Sequence, residues 1–163
     1  MALPEFKIYE LNVGGGTLAL SPAPGRGDYQ RDVAAIARWG ADMVLTMVTS
    51  EELLRLGADG LGDDLTALGI EWRHLPIPDF GAPSGETEAN WPSAETEALA
   101  VLANGGKVLT HCYGGCGRSG MAALRLMVST GEDVNEALHR LREARPCAVE
   151  TQEQLEWAGR QVD

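Results

Sequence analysis

The sequence predicts a single α/β domain in which a mostly parallel central sheet is flanked by helices. Short apolar runs typical of buried strands alternate along the chain with amphipathic helical patterns. The chain has 163 residues, 44% of them hydrophobic, which is enough for one core and too little for two domains of ordinary size. No internal repeat, low-complexity tract or linker divides it. We therefore expect residues 1–163 to form one domain.

The first half of the chain predicts a hairpin followed by alternating helices and strands. Asp28 has the residue type and position of a helix N-cap. Thr49 and Glu52 have the spacing of a capping box, which begins a short helix ending near Gly57. The remaining predicted elements are strands at 6–13, 17–20, 42–48 and 70–77 and a helix at 63–68.

The second half opens with residues 79–92, whose Gly, Pro, Ser and Asn content predicts the longest irregular segment of the chain. Long loops within compact domains are often functional. A helix at 93–103, a strand at 107–110 and a helix from Ser119 onward are expected to follow. Asp133 and Thr151 are positioned as the N-caps of two further helices.

The turn between the strand at 107–110 and the next helix is the most informative segment. Residues 111–120 read His-Cys-Tyr-Gly-Gly-Cys-Gly-Arg-Ser-Gly. Gly114, Gly115 and Gly117 allow the backbone to bend tightly, so that successive amides can point inward at a helix N-terminus. The predicted guest is an anion of the size of phosphate. Tyr113 and Cys116 supply the remaining side chains of this loop.

Four side chains next to the glycines have the properties of a catalytic group. Cys112 would lie beneath the bound anion, and the helix N-terminus and Arg118 favour its thiolate at neutral pH. The planar fork of Arg118 matches two phosphoryl oxygens. We expect Ser119 to donate its hydroxyl to the sulfur, and His111 to face away from the anion and to order the loop.

The arrangement of Cys112, five residues, Arg118 and Ser119, with His111 in front, resembles the signature of the cysteine-dependent protein tyrosine and dual-specificity phosphatases. The segment 76–83, Pro-Ile-Pro-Asp-Phe-Gly-Ala-Pro, looks like the general-acid loop of that superfamily. The residues within the signature are similar to those of the kinase-associated phosphatases of the cyclin-dependent kinase inhibitor family. The resemblance covers about residues 16–162 and implies a dual-specificity-phosphatase-like catalytic domain with a protein tyrosine phosphatase-like fold.

This resemblance also implies roles for two residues outside the loop. Asp79 precedes Cys112 by 33 residues, a spacing similar to that between acid and nucleophile in the superfamily, with Glu86 and Glu88 as competing acids. Gln154 matches a glutamine that helps to position the hydrolytic water. A capping box of Thr151 and Gln154 would explain the same pattern, and Gln152 is the neighbouring alternative. No cofactor is implied.

Residues 111–120 allow interpretations other than a phosphocysteine enzyme. A cysteine in a glycine-rich turn is usually structural, but His111, Arg118 and Ser119 together argue against that interpretation. A zinc site at His111, Cys112 and Cys116 lacks a fourth ligand of suitable spacing. Rhodanese-type sulfurtransferases use a loop that is typically one residue shorter before the arginine. A phosphate-binding pseudophosphatase that recognises phosphoprotein is the alternative outside enzyme chemistry.

The charge of the chain restricts its partners. Thirteen basic and 24 acidic residues give a net charge of −11, which disfavours nucleic acid and anionic membrane surfaces. Between Cys112 and Arg118 there is no Lys or Arg to hold a second phosphate, so polyphosphorylated inositides are disfavoured. We expect a singly phosphorylated protein or peptide as substrate, with phosphotyrosine and phosphoserine or phosphothreonine both accepted. The resemblance also implies a possible kinase partner.

The cysteines and the N-terminus predict a cytoplasmic protein. Three cysteines do not make a disulfide framework, and the N-terminus lacks the apolar centre of a signal peptide. No stretch approaches the roughly 18 apolar residues of a membrane span. A low-pKa thiolate is readily oxidised in general. We therefore consider Cys116 and Cys147 as thiols that trap oxidised Cys112 in a disulfide.

Overall fold

A computed structural model describes residues 5–160, which form a single α/β domain around a mixed five-stranded sheet. The strands are β1 (Tyr9–Val13), β2 (Gly16–Ser21), β3 (Met43–Thr46), β4 (Glu71–His74) and β5 (Lys107–His111). Their order across the sheet is β1-β2-β5-β3-β4. β1 pairs antiparallel with β2, and the other neighbours are parallel. The predicted fold class is confirmed.

Seven helices surround this sheet in the described part of the chain. They are α1 (Tyr29–Trp39), α2 (Ser50–Arg55), α3 (Leu61–Ala67), α4 (Gly85–Ala103), α5 (Gly117–Ser129), α6 (Val134–Ala144) and α7 (Gln152–Gly159). α4 and α5 pack against β2 and β5, whereas α6 and α7 pack against α5. No helix within residues 5–160 is both long and apolar enough to cross a membrane.

The predicted helix caps are present. Asp28 accepts a hydrogen bond from the amide of Arg31, and Asp133 accepts from Asn135 and Glu136. Both capping boxes, Thr49 with Glu52 and Thr151 with Gln154, are formed in full. Since each cap satisfies amides that have no partner inside the helix, these residues fix where the helices next to the site begin.

The helix α5 lies in the centre of the domain. Its first eleven residues are all buried, including the apolar side chains that the sequence placed on this helix. Gly120 allows the close packing, because a Cβ at that position would lie 2.6 Å from the backbone nitrogen of Val149. A helix so enclosed holds its N-terminus, and the loop that precedes it, in a fixed position.

The prediction that 79–92 is irregular is wrong for its second half, because α4 begins at Gly85 and contains Pro92. Proline usually marks the first turn of a helix, so the sequence favoured a start at residue 93. Here the helix begins two turns before Pro92, and this first part is held in place because Thr87 and Trp91 are buried. Thr87 also donates its hydroxyl to the carbonyl of Pro76, at 2.7 Å. The irregular segment is therefore shorter and is attached to the helix that follows it.

The strand predicted at 70–77 is shorter than expected, since regular pairing with β3 ends at His74. The backbone remains attached beyond this point. The amide of Leu75 donates to Thr46, and that of Ile77 donates to Met47, at 2.9 and 3.0 Å. The chain thus enters the segment that contains Asp79 from a position fixed against the end of β3.

Candidate active site

The loop between β5 and α5 lies at the carboxyl ends of the parallel strands. Gly115 adopts a left-handed backbone with φ of 79°, and a Cβ on it would lie 2.7 Å from the backbone nitrogen of Pro22. Any side chain at this position would therefore push the loop away from the end of β2. This close approach explains why the second glycine of the loop is required.

The carbonyl groups of the loop point outward and are bound by the surrounding chain. Tyr113 O accepts from the amide of Ala23 at 2.9 Å. Arg145 donates to the carbonyls of Gly114 and Gly115, at 2.9 and 3.2 Å. Within the described residues, the amides of residues 113–119 have no hydrogen-bond acceptor. Such an arrangement, at the N-terminus of a 13-residue helix, favours the binding of an anion.

Cys112 lies at the base of this loop. Its side chain is buried, with 3% of the residue exposed, and it is not part of a disulfide. The sulfur is 3.2 Å from the hydroxyl oxygen of Ser119, which is also buried. The two groups are therefore within hydrogen-bond distance, and the sulfur directly precedes the loop whose amides have no acceptor among residues 5–160.

Arg118 is held by an acidic partner that lies far away in the sequence. Its Nη1 donates to Glu52 Oε1 at 2.7 Å and to the carbonyl of Ile77 at 2.8 Å. Its Nη2 donates to Glu52 Oε2 at 2.9 Å. Since only 1% of the Arg118 side chain is exposed, these contacts form inside the protein. The end of the guanidinium is thus occupied by a carboxylate.

A guanidinium has five N–H donors, and three of those of Arg118 are used in these bonds. The Nε proton has no partner among residues 5–160, although the atom is buried. One proton of Nη2 also remains, and Asp79 Oδ1 lies 3.5 Å from that nitrogen. Because Nε and Nη2 share one edge of the planar group, this edge can hold two oxygens of a phosphoryl group.

The ion pair with Arg118 also determines the ionisation state of Glu52. Burial raises the pKa of this carboxyl, but hydrogen bonds from Arg118 and the Thr49 amide, together with the charge of Arg118, outweigh burial and lower the pKa from 4.5 to about 2. Glu52 is therefore ionised throughout the neutral range. Its charge keeps the cation of Arg118 in place when the site is empty.

His111 links the loop to the neighbouring strands. The indole of Trp72 donates to Thr46 Oγ1 at 2.8 Å, and this hydroxyl lies 2.7 Å from His111 Nε2. The other ring nitrogen, Nδ1, lies 3.3 Å from the carbonyl of Cys112, which can only accept. Burial lowers the pKa of His111 to about 4, so the ring is neutral with its proton on Nδ1. The Nε2 edge of the ring faces β3, since Thr46 lies on that strand.

Asp79 follows the end of the β4 segment and faces the opening of the site. Its side chain is 57% exposed, and Oδ1 accepts from the amide of Phe80 at 3.0 Å. Phe80 has a positive φ of 63°, which is uncommon for a residue with a side chain. Of the competing acids, Glu88 lies in the first turn of α4 and forms an ion pair with Arg160, and Glu86 is exposed.

Gln154 connects the acid-containing segment to the last helix. Its side chain is buried, and Oε1 accepts from the amides of Glu150 and Thr151 at 2.9 and 3.2 Å. Its Nε2 donates to the carbonyl of Gly81 at 3.1 Å, two residues after Asp79. Gln154 therefore does more than cap α7. Gln152, in contrast, is exposed, and its side chain donates to Glu156 at 3.4 Å.

The cysteines require a correction. Cys116 and Cys147 form a disulfide with each other, across a Cα separation of 5.1 Å, although the sequence favoured a chain without disulfides. While this bond is present, neither cysteine has a free thiol that could form a disulfide with oxidised Cys112. Cys147 follows Arg145, whose contacts bring the segment before α7 against the loop. The zinc alternative also fails in this structure, since Cys116 is bonded to sulfur.

Comparison with known proteins identifies the family. The sequence profile of the Cyclin-dependent kinase inhibitor 3 family matches residues 22–137. Cyclin-dependent kinase inhibitor 3 of Mus musculus is 36% identical to the chain over 121 residues, and that of Homo sapiens is 30% identical over 122 residues. The chain belongs to this family. Each match covers 74% of the chain, and the chain spans about half the length of these curated relatives, 56% in both cases.

Solved structures agree with this assignment. A kinase associated phosphatase with its catalytic cysteine replaced by serine is 26% identical, with a TM-score of 0.83 over 96% of this chain and 94% of that one. Tk-PTP in its active form is 35% identical, with a TM-score of 0.68 over 96% and 95%. The fold and family are therefore of the dual-specificity phosphatase type, a group that includes inactive members.

Two residues of this family member were missed by reasoning from the sequence. Glu52 was interpreted only as part of a capping box, and Arg145 was not singled out. For Glu52 the available signal was a carboxylate that closely follows the carboxyl end of the strand predicted at 42–48. Arg145 lies in an irregular connection, where the sequence contains no periodic pattern that predicts its contacts.

Proposed function

We propose that the protein is a phosphomonoester hydrolase that removes phosphate from phosphorylated protein side chains through a phosphocysteine intermediate. The observation that carries this proposal is the buried, unbonded sulfur of Cys112, which lies 3.2 Å from the Ser119 hydroxyl and is followed by loop amides, 113–119, that have no acceptor within the described residues. The free edge of Arg118 supplies two more donors to the same site. Stabilisation of developing charge by fixed donors is usually the largest contribution to such catalysis.

In the first step, the Cys112 thiolate attacks phosphorus, and an S–P bond forms as the bond between phosphorus and the leaving oxygen breaks. The loop amides and Arg118 hold the other three phosphoryl oxygens in line for this displacement. Asp79, in its protonated form, transfers a proton to the leaving oxygen. Its exposed position, 3.5 Å from Arg118 Nη2, places it at the entrance, where the leaving group would lie.

In the second step, the now ionised Asp79 takes a proton from water as the water oxygen attacks phosphorus. The S–P bond breaks, phosphate is released and the thiolate is regenerated. The Ser119 hydroxyl, 3.2 Å from sulfur, stabilises the departing thiolate by donating to it. Gln154, through its bond to the Gly81 carbonyl, holds the Asp79 segment in position for this step.

The substrate class follows from the capacity of the site and from the family. The loop contains no Lys or Arg before Arg118, so it holds one phosphoryl group. The substrate is a phosphoprotein or phosphopeptide in the cytoplasm, with phosphoserine and phosphothreonine accepted as well as phosphotyrosine. Since the relatives are named for cyclin-dependent kinases, a kinase is the partner that the family membership favours.

A turnover panel tests this proposal. We expect hydrolysis of phosphotyrosine, phosphoserine and phosphothreonine peptides, and little hydrolysis of inositol polyphosphates or a nucleotide. A preference of tenfold or more in kcat/KM for an inositol polyphosphate, about 1.4 kcal/mol in the transition state, would contradict the substrate class. Binding of phosphopeptides without turnover of any of these compounds would instead support the pseudophosphatase alternative.

A further inference from the structure

The mouth of the site is a cavity of about 300 Å³ outside the phosphate loop. It is lined by Glu52, Arg55, Leu56, Asp79 and Tyr113. Arg55 is the last residue of α2 and is exposed to solvent. Tyr113, the first loop residue after Cys112, also lines the cavity. A substrate side chain that enters the loop through this cavity therefore passes these groups.

A second guanidinium, that of Arg26, stacks on the ring of Tyr113. The Arg26 guanidinium carbon is 4.7 Å from the centre of the Tyr113 ring, a distance typical of a cation–π contact. Tyr113 is itself 42% exposed, so this stacked pair forms part of the rim and is not buried. The contact places the positive charge of Arg26 beside the opening while leaving its N–H groups available.

Neither arginine is neutralised by a carboxylate of the described residues. Among residues 5–160, no carboxylate forms an ion pair with Arg26 or Arg55, whereas Glu52 is bound to Arg118. Arg55 lines the opening and Arg26 stacks on Tyr113, which lines it, so two cations without a carboxylate partner in the described part of the chain lie at or next to this opening in a chain with a net charge of −11. Glu52 and Asp79 also line the cavity, but both lie within ion-pair distance of Arg118. Arg55 and Arg26 therefore remain to attract an anionic group to the rim and to repel a cationic one.

On the basis of the proposed function, we propose that Arg55 and Arg26 form an anion subsite. This subsite recognises a carboxylate side chain next to the phosphorylated residue of a peptide substrate. The phosphate loop is filled by one phosphoryl group, so the second charge must lie outside it. Neighbouring residues of an extended peptide are about 3.5 Å apart along the chain, so a side chain next to the phosphoresidue reaches the rim.

The test compares phosphothreonine peptides that differ only in the two flanking residues, which are both Glu, both Gln or both Lys. For each enzyme variant, kcat/KM for a peptide is divided by kcat/KM for para-nitrophenyl phosphate, which has no flanking groups. We expect the wild type to prefer the Glu peptide over the Lys peptide by about tenfold at low salt. Because the rim is exposed, this preference should fall to about twofold in 0.5 M NaCl.

Charge reversal provides the decisive comparison. Arg55→Glu should invert the preference to favour the Lys peptide, and Arg26→Gln should reduce it to about threefold. Arg38→Gln is the matched control, since Arg38 is an exposed arginine on α1 that does not line this cavity, and the tenfold preference should remain. Equal use of the three peptides by the wild type, or an unchanged preference in Arg55→Glu, would overturn the subsite.

Two further outcomes separate this proposal from others. If the wild type hydrolyses neither para-nitrophenyl phosphate nor any of the peptides, the proposed function is overturned, and the subsite with it. If it hydrolyses the peptides without a preference among them, the subsite alone is overturned. A peptide with a second phosphorylated residue in place of the flanking Glu tests the nature of the anion. A kcat/KM for it more than tenfold above that of the Glu peptide would contradict the assignment to a carboxylate.

Discussion

The carboxylate of Glu52 binds the end of the Arg118 guanidinium through both oxygens, at 2.7 and 2.9 Å, inside the protein. This pairing determines which donors of Arg118 are left for a substrate. The Nε proton and one Nη2 proton remain, on a shared edge of the group. Glu52 therefore fixes the orientation of this edge, and through it helix α2 becomes part of the site.

Replacement of Glu52 by Gln should therefore weaken catalysis without removing any group that touches the substrate. Gln can accept one bond from Arg118 and cannot balance its charge, so the free edge loses its fixed orientation. We expect kcat/KM for a phosphopeptide to fall by about 30-fold, or about 2 kcal/mol. The measurement is steady-state kinetics together with the affinity for inorganic phosphate, which should fall in parallel.

Glu51→Gln is the control for this experiment, since Glu51 is the neighbouring exposed acid on the same helix. Its kinetics should match those of the wild type within about twofold. If Glu52→Gln retains wild-type phosphate affinity and kcat/KM, the carboxylate is not needed to position Arg118.

The role of Asp79 is tested by varying the leaving group. Asp79→Asn cannot supply a proton, so hydrolysis of alkyl phosphates should fall by about 10² to 10⁴, the usual contribution of general-acid catalysis. Aryl phosphates with acidic leaving groups need no proton and should lose only a few-fold. The measurement is kcat against leaving-group acidity for the wild type and the variant.

Glu86→Gln is the matched control, because Glu86 is an exposed carboxylate of the next helix. It should leave the leaving-group dependence unchanged. An equal loss for all leaving groups in Asp79→Asn would assign Asp79 a structural role. A selective loss in Glu86→Gln would transfer the acid role to that residue.

The sequence predicted the local features of the fold well, for a physical reason. The caps at Asp28, Thr49, Asp133 and Thr151 depend on residues within one helical turn, so the sequence contains the whole signal. The start of α4 was missed because Pro92 is a strong local signal, whereas burial of Trp91 against Trp157 is a tertiary contact. The centroids of these two rings are 5.0 Å apart.

The same distinction applies to the candidate site. The loop from His111 to Gly120 was predicted because its nucleophile, donors and glycines are consecutive. Glu52 is 66 residues from Arg118, and the Cys116–Cys147 disulfide joins residues 31 apart. Long-range pairs of this kind depend on how strands are ordered in the sheet, which the pattern of a single sequence does not determine.

The buried His111 predicts a loss of stability in mild acid. Its pKa is lowered by burial from 6.5 to about 4 in the folded protein. The unfolded chain therefore binds the proton more readily, and the stability present above pH 6.5 is lost as the pH falls toward 4. Between pH 7 and pH 5 this amounts to about 2 kcal/mol, measurable by urea unfolding at the two pH values.

His111→Gln keeps a side-chain amide near Thr46 and cannot be protonated, so its stability should change less than that of the wild type over this pH range. His139→Gln is the control, because His139 is exposed and pairs only with Glu143 on the surface. Its pH dependence should equal that of the wild type. A His111→Gln variant with the wild-type slope would show that His111 does not account for the acid sensitivity.

The disulfide predicts a redox-dependent stability. Removing a cross-link between residues 31 apart should lower the free energy of unfolding by about 2 to 4 kcal/mol. We expect the free energy of unfolding of Cys147→Ser to be lower than that of the oxidised wild type by this amount. Once reductant is added, the wild type and the variant should have the same free energy of unfolding. Alkylation of the unfolded wild type without reductant should modify one thiol, that of Cys112. Modification of all three cysteines would contradict the pairing.

The most direct test of the account is a rapid-mixing experiment with a phosphorylated substrate, followed by acid quench and mapping of the labelled peptide. The wild type should show a burst of one leaving group per enzyme, with phosphate attached to Cys112. Cys112→Ser should bind phosphate with an affinity close to that of the wild type and show no burst and less than about a hundredth of the turnover. A labelled residue other than Cys112, or substantial turnover by Cys112→Ser, would contradict covalent catalysis by this cysteine.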